Sequence, residues 1–146
     1  MTDQDLLQEC NQLLCREAML VDRKLWQEWL ELFTEDVEFW MPAWTDQCLL
    51  TADPARELSL IYIKGKGGLQ DRVFRIESGD SFASTPMDRT VHVIGGVVVT
   101  SREPQVTAEA AWVAHSFGIR GKRTLAGRSI YTLERQGETL KVARKR

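Results

Sequence analysis

The side chains that could transfer protons in this sequence are two imidazoles and four carboxylates. They are His92, His115, Asp22, Glu35, Asp36 and Glu38. An aspartate beside a histidine can remove a proton from one substrate atom and return it to another, which is the chemistry of dehydratases and isomerases. Strand alternation allows either imidazole to point into a pocket, so one hypothesis pairs His92 or His115 with Asp36. The other hypothesis is that each imidazole is satisfied by a neighbouring strand or carboxylate.

The same two histidines restrict the metal chemistry open to the chain. Mononuclear zinc and non-haem iron sites usually take two or three imidazoles, and a Rieske cluster together with a mononuclear iron takes four. The three cysteines, Cys10, Cys15 and Cys48, have no spacing typical of a metal site or a disulfide framework. We therefore predict no metal-binding residue in this chain, and the residues by themselves give no convincing catalytic or cofactor-binding set.

Charge and hydropathy exclude further classes of partner. The 19 basic and 21 acidic residues give a formal net charge of -2 and a pI near 5.7, so the chain has no basic excess with which to bind nucleic acid. No apolar run approaches the roughly 20 residues that cross a bilayer, and the first residues are acidic where a signal peptide is basic. The sequence predicts a soluble, cytoplasmic protein without a nucleic-acid or membrane partner.

The first third of the chain has helical periodicity. From Asp5 to about Leu20, apolar residues recur every three or four positions, which predicts an amphipathic helix. Asp22 is a predicted N-cap for a second helix from Arg23 to about Phe33. A third, short helix is predicted from Leu69 to Glu77.

The rest of the chain has the two-residue period of β-strands. Short strands are predicted at Val37 to Met41 and at Leu58 to Ile63. Paired glycines, Gly95 and Gly96, predict a bulge in the first of the later strands. These later strands are predicted at Thr90 to Ser101, Gln105 to Phe117, Arg123 to Arg135 and Glu138 to Arg146.

Helices followed by an antiparallel meander predict one α+β domain over residues 1–146, with the helices packed on a curved sheet. Glycine bends in long strands favour a half-open cone, with a pocket between helix and sheet. The apolar stretch from Phe39 to Trp44 either lies under other elements or offers a surface to another subunit. We expect the aromatic cluster around Trp40 and Trp44 to take part in association.

Several sequence landmarks follow one another along nearly the whole chain. They are Glu17 to Asp22, Leu32 to Val37, Phe39 to Pro42, Leu58 to Tyr62, Asp71 to Arg75 and Arg89 to His92. In this order they resemble the small (β) subunit of aromatic-ring-hydroxylating dioxygenases, nearest those acting on benzoate, anthranilate or related acids. The sequence departs from many relatives at Asp88, where they have proline. Relatives also usually continue into one more strand after the basic run from Lys141 to Arg146.

The resemblance implies an NTF2-like cone, with N-terminal helices on a strongly curved antiparallel or mixed sheet. It also implies a noncatalytic subunit that binds no cofactor. A large (α) oxygenase subunit would carry the Rieske 2Fe-2S cluster and the mononuclear iron, in a three-plus-three hexamer built on a trimer of this chain. The alternatives are a stand-alone dehydratase or isomerase using His92 or His115 with Asp36, and a binding module without an enzymatic partner.

Overall fold

A computed structural model of the protein describes residues 2–42, 59–78, 89–119 and 121–146. Within these ranges the chain forms three helices and six strands. The helices are α1 (Asp3–Asp22), α2 (Trp26–Leu30) and α3 (Lys66–Ser78). The strands are β1 (Phe33–Pro42), β2 (Ser59–Lys64), β3 (Arg89–Ser101), β4 (Gln105–Gly118), β5 (Gly121–Gln136) and β6 (Thr139–Lys145). No helix in the described ranges is both long and apolar enough to span a membrane.

All six strands belong to one mixed sheet in the order β2-β1-β6-β5-β4-β3. Strands β3 to β6 form the predicted antiparallel meander. Strand β6 then lies parallel to β1, with Phe33 opposite Val142 and Phe39 opposite Lys145. The last described strand is therefore paired on both sides, and the predicted α+β architecture is confirmed.

Helix α1 begins with a capping box and buries the predicted stripe. The Thr2 hydroxyl accepts a hydrogen bond from the Asp5 amide at 3.1 Å, and the Asp5 carboxylate accepts one from the Thr2 amide at 3.0 Å. These hydrogen bonds lower the pKa of Asp5. The spacing of three and four residues places Leu6, Cys10 and Leu14 in the core.

The predicted second helix from Arg23 to Phe33 is wrong at both ends. Helix α1 continues to Asp22 and stops because Lys24 adopts a left-handed conformation with φ of 57°. Helix α2 covers only Trp26–Leu30, its N-cap position is Leu25, and Phe33 already begins β1. Asp22 therefore has a different role from the predicted N-cap.

The core lies between α1 and one face of the sheet, called here the inner face. Val106, Ala108 and Ala110 alternate along β4 and are buried in the same apolar cluster as Leu14 of α1. Helix α1 lies closest to the neighbouring strand β3. The residues between Val106, Ala108 and Ala110 on β4 belong to the opposite face, called the outer face.

The predicted bulge at Gly95 and Gly96 is present. The pairing of β3 with β4 shifts between Gly95, opposite Ala111, and Val98, opposite Glu109. Gly96 has a φ of 61°, which favours glycine over residues with a side chain. The bulge shifts the alternation of β3 by one residue. The odd-numbered Val91 and Val93 before it and the even-numbered Val98 after it therefore all place their side chains on the outer face.

A close approach between β4 and β5 gives a testable prediction. A Cβ atom on Gly127 would lie 2.8 Å from Cζ2 of the Trp112 indole, whereas one on Gly95 would have no neighbour within 4 Å. We expect Gly127→Ala to lower the free energy of unfolding by about 1–3 kcal/mol, because the indole must move. Urea unfolding should show this loss, with Gly95→Ala near wild type as the control. Equal effects of the two substitutions would contradict the proposed crowding.

Candidate functional site

Asp22 joins the last turn of α1 to the edge strand β3. Its Oδ1 atom lies 2.6 Å from Nδ1 of His92 and accepts a hydrogen bond from the Thr90 hydroxyl at 2.8 Å. Its Oδ2 atom accepts one from the His92 backbone amide at 2.8 Å. The helix dipole disfavours a carboxylate at a helix C-terminus, so these contacts from β3 compensate for it. We call Asp22, Thr90 and His92 the Asp22 clamp.

The sequence analysis paired His92 or His115 with Asp36, but in the structure neither imidazole is paired with this carboxylate. The Asp36 carboxylate accepts a hydrogen bond from the nearby Thr34 hydroxyl at 2.9 Å, while His92 is paired with Asp22. His115 lies 3.0 Å from the Thr124 hydroxyl. His115 is opposite Val91 in the register, so its side chain belongs to the outer face and that of His92 to the inner face. The two imidazoles therefore cannot share one pocket.

The remaining predicted carboxylates form surface ion pairs. Glu35 has a side chain 90% exposed and lies 3.9 Å from Lys66. Glu38 lies 3.5 Å from Arg144 on the neighbouring strand. Exposed pairs of this kind contribute at most about 1 kcal/mol. We therefore interpret Glu35 and Glu38 as carboxylates of surface ion pairs and not as a catalytic pair.

The sequence analysis missed a buried ion pair in the core. Lys145 of β6 donates to the carboxylate of Glu17 of α1, whose side chain is only 3% exposed. The Lys145 ammonium also lies 5.3 Å from the ring centroid of Phe39 and 5.4 Å from that of Tyr131. Burial lowers the pKa of Lys145, but Glu17 and Tyr131 raise it by more than burial lowers it. The net pKa is therefore above its ordinary value. The signal for this pair was a glutamate three residues after Leu14 on a buried stripe.

The described residues do not bring a metal-binding set together. Among them, no three histidine, cysteine, aspartate or glutamate side chains form a group that could hold a metal ion. Cys10 is buried, and desolvation followed by the charge of Glu9 raises the pKa of its thiol to about 11. Such a thiol stays protonated and unreactive at neutral pH. Cys48 and Trp44, singled out in the sequence, lie outside the described residues.

Trp40 is not the exposed interface residue that the sequence suggested. It lies on the outer face but is only 2% exposed. The Arg146 guanidinium lies 4.6 Å from its ring centroid, that of Arg144 lies 5.9 Å away, and the Tyr62 ring packs at 6.3 Å. Trp40 thus follows the other predicted alternative and lies under neighbouring groups.

Exposed apolar side chains are concentrated instead on the outer face of β3 to β5. Val91, Val93 and Val98 are each about half exposed, at 51%, 56% and 53%. Val113 of β4 lies opposite Val93. Glu109 of β4 lies opposite Val98 on one side and opposite Ile130, which is 38% exposed, on the other. We call these five residues the outer valine patch. Glu109 lies between Val98 and Ile130 in the register, so the patch is not continuous.

Comparison with known proteins identifies similar chains along almost the full length. The family model described as "Ring hydroxylating beta subunit" matches residues 16–146. The chain is 39% identical over 140 residues to the benzoate 1,2-dioxygenase subunit beta of Acinetobacter baylyi, covering 95% of this chain and 83% of that protein. It is 40% identical over 132 residues to the 2-halobenzoate 1,2-dioxygenase small subunit of Burkholderia cepacia, covering 90% and 80%. The resemblance seen in the sequence is confirmed.

A solved structure gives the same result for the fold. The beta subunit of the benzoate 1,2-dioxygenase of Burkholderia mallei matches with a TM-score of 0.76 and 33% identity, covering 93% of this chain and 85% of that one. This match confirms the predicted NTF2-like arrangement of helices on a mixed sheet.

Proposed function

The chain belongs to the ring hydroxylating beta subunit family, and from this membership we propose that it is the noncatalytic small subunit of a multicomponent aromatic-ring dioxygenase. Residues 1–146 act as one domain that supports assembly and stability. The partner is a large oxygenase subunit that carries the Rieske cluster and the mononuclear iron. Three copies of each subunit form the complex, with the small subunits associated as a trimer in the cytoplasm.

The observation that carries this proposal is the identity of about 40% to small subunits of benzoate-type dioxygenases over most of the chain. The placement of the imidazoles supports a noncatalytic role. His92 is held by Asp22 on the inner face, and His115 contacts Thr124 on the outer face. The only two histidines of the chain therefore cannot meet at one iron within a subunit.

The substrate class follows from the same relatives. We propose an aromatic acid such as benzoate or anthranilate, to which the complex adds both atoms of O2 to give a cis-dihydrodiol or the catechol derived from it. Electrons come from NADH through a separate reductase. This chain contributes structure to that reaction, and the large subunit shapes the site for the ring.

Co-expression with a benzoate-type large subunit tests the proposal. We expect the untagged large subunit to co-purify with the tagged chain as a brown, iron-containing complex, and native mass spectrometry to show three copies of each. The chain purified alone should hold no iron and consume no O2. A monomer both alone and in the mixture would contradict the proposal, as would iron-dependent turnover by the isolated chain.

A further inference from the structure

Strand β3 is an edge strand whose own sequence does little to prevent pairing with another chain. Residues 90–101 contain no aspartate, glutamate, lysine, arginine or proline, and half of them are valine or isoleucine. Within the described residues, β3 pairs with β4 alone. An edge strand of this composition adds a foreign strand readily, because no charge or proline opposes the pairing. The fold therefore has to close this edge by other means.

Helix α1 lies along β3 and is joined to it at both ends. At the start of the helix, Oδ2 of Asp3 lies 2.5 Å from Nη2 of Arg102, which directly follows β3. At the end of the helix, Asp22 contacts Thr90 and His92. Helix and strand therefore run antiparallel, and the last turn of α1 reaches the first half of β3.

The contact between Asp22 and the β3 backbone occupies a hydrogen-bonding position of the open edge. In an antiparallel pair, every second residue of an edge strand directs its N–H and C=O away from the neighbouring strand. The His92 N–H is such a group, since it donates to Oδ2 of Asp22 at 2.8 Å and not to a carbonyl of β4. The carboxylate thus takes the place that a carbonyl of an added strand would take.

The Asp22 carboxylate is held in this place by its other oxygen. Its side chain is 18% exposed, and Oδ1 contacts the Thr90 hydroxyl at 2.8 Å and Nδ1 of His92 at 2.6 Å. A strand approaching β3 here would bring its carbonyl oxygens against a largely buried negative charge. Charged groups placed at an edge oppose strand addition in this way.

The backbone itself interrupts the edge further along β3. The register with β4 shifts between Gly95 and Val98, and Gly96 has a φ of 61°. A bulge bends the strand and breaks the regular series of outward N–H and C=O groups. The regular part of the edge is therefore residues 89–95, and Asp22 binds the outward N–H in its middle.

We propose that the edge of β3 at residues 89–95 is a strand-addition site that Asp22 keeps closed. Without the carboxylate, an extended β-branched segment that lacks acidic side chains pairs antiparallel with this edge, and one of its carbonyls accepts the hydrogen bond from the His92 N–H. Residues 89–95 of the chain themselves meet this description, so the occupant is the same segment of a second copy. This inference is independent of the proposed function.

A fluorescently labelled peptide with the sequence of residues 89–95 tests the proposal on the full chain. We expect fluorescence anisotropy to show that Asp22→Ala binds this peptide at least tenfold more tightly than the wild type. Hydrogen exchange gives the position of binding. In Asp22→Ala the His92 amide should exchange at least tenfold more slowly with the peptide than without it, because a peptide carbonyl replaces the carboxylate.

Two controls separate an open edge from a weakened fold. Lys145→Met leaves the buried Glu17 charge unpaired and so weakens the fold while Asp22 stays in place, and it should bind the peptide no better than the wild type. Asp22→Ala combined with His92→Pro lacks the outward N–H and should not bind the peptide either. Proline is tolerated where the N–H of an edge strand points away from its neighbour.

Circular dichroism should show that each variant is folded. If the proline variant is not, Asp22→Ala with Val93→Lys replaces it, because a lysine on an edge strand opposes pairing and Val93 is 56% exposed. Equal binding by the wild type and Asp22→Ala would overturn the inference, as would tight binding by Lys145→Met or no binding by Asp22→Ala. None of these results changes the expected co-purification with the large subunit.

Discussion

Replacing Lys145 by methionine is expected to lower the free energy of unfolding by about 3–5 kcal/mol. The substitution removes the ammonium but leaves the Glu17 carboxylate, 3% exposed, without its counter-charge. A buried charge without a partner destabilises a fold more than the intact pair stabilises it. Urea unfolding at neutral pH measures the loss, and Lys122→Met, at an exposed position of β5, is the matched control.

The double variant Lys145→Met with Glu17→Leu distinguishes this explanation from a simple loss of packing. Removing both charges should recover most of the stability, because well-packed apolar residues often replace a buried ion pair at little cost. The pKa of Lys145 is raised in the folded state, so its contribution is complete below the unfolded value of about 10.4 and declines at higher pH. A loss below about 1 kcal/mol for the single variant would contradict the assignment of Glu17 as a buried charge.

Asp22→Ala is expected to destabilise the protein by about 2–3 kcal/mol, the second-largest effect. The carboxylate is 18% exposed and holds three groups of β3: the Thr90 hydroxyl, the His92 imidazole and the His92 amide. Its removal leaves half-buried donors without an acceptor. Chemical unfolding measures the loss, and hydrogen exchange at the His92 amide should become faster.

The matched control for the Asp22 clamp is Asp36→Ala. Asp36 accepts one hydrogen bond, from Thr34 two residues away, and its loss should cost less than about 1 kcal/mol. Asp22→Asn should be intermediate, because an amide oxygen can still accept one of the hydrogen bonds. Equal losses for Asp22→Ala and Asp36→Ala, with unchanged exchange at His92, would show that the clamp does not hold α1 to β3.

Local periodicity correctly predicted the elements whose burial pattern follows from their own sequence. The stripe of α1 and the alternation of Val106, Ala108 and Ala110 are local signals, and both are confirmed by burial. The bulge at Gly95 and Gly96 was also predictable, because paired glycines in a β-branched run permit few other conformations.

The errors arose where distant residues decide the structure. Asp22 has a side chain typical of an N-cap, yet its partners Thr90 and His92 lie 68 and 70 residues away. Glu17 and Lys145 are 128 residues apart, so no window of sequence shows them as a pair. The sequence contained only weak evidence for the outer valine patch. Apolar residues occur at both odd and even positions of β3, which indicates that both faces of this strand carry apolar side chains.

The central position of β6 has a consequence for the order in which the polypeptide can mature. Strands β1 and β2 form one hairpin and β3 to β5 form a separate meander, and these two parts meet only through β6, about a hundred residues after β1. During translation, the facing edges of β1 and β5 stay open until residues 139–145 emerge from the ribosome. Unpaired edges of this kind attract other nascent chains. Chaperone demand should therefore persist until β6 is inserted between β1 and β5.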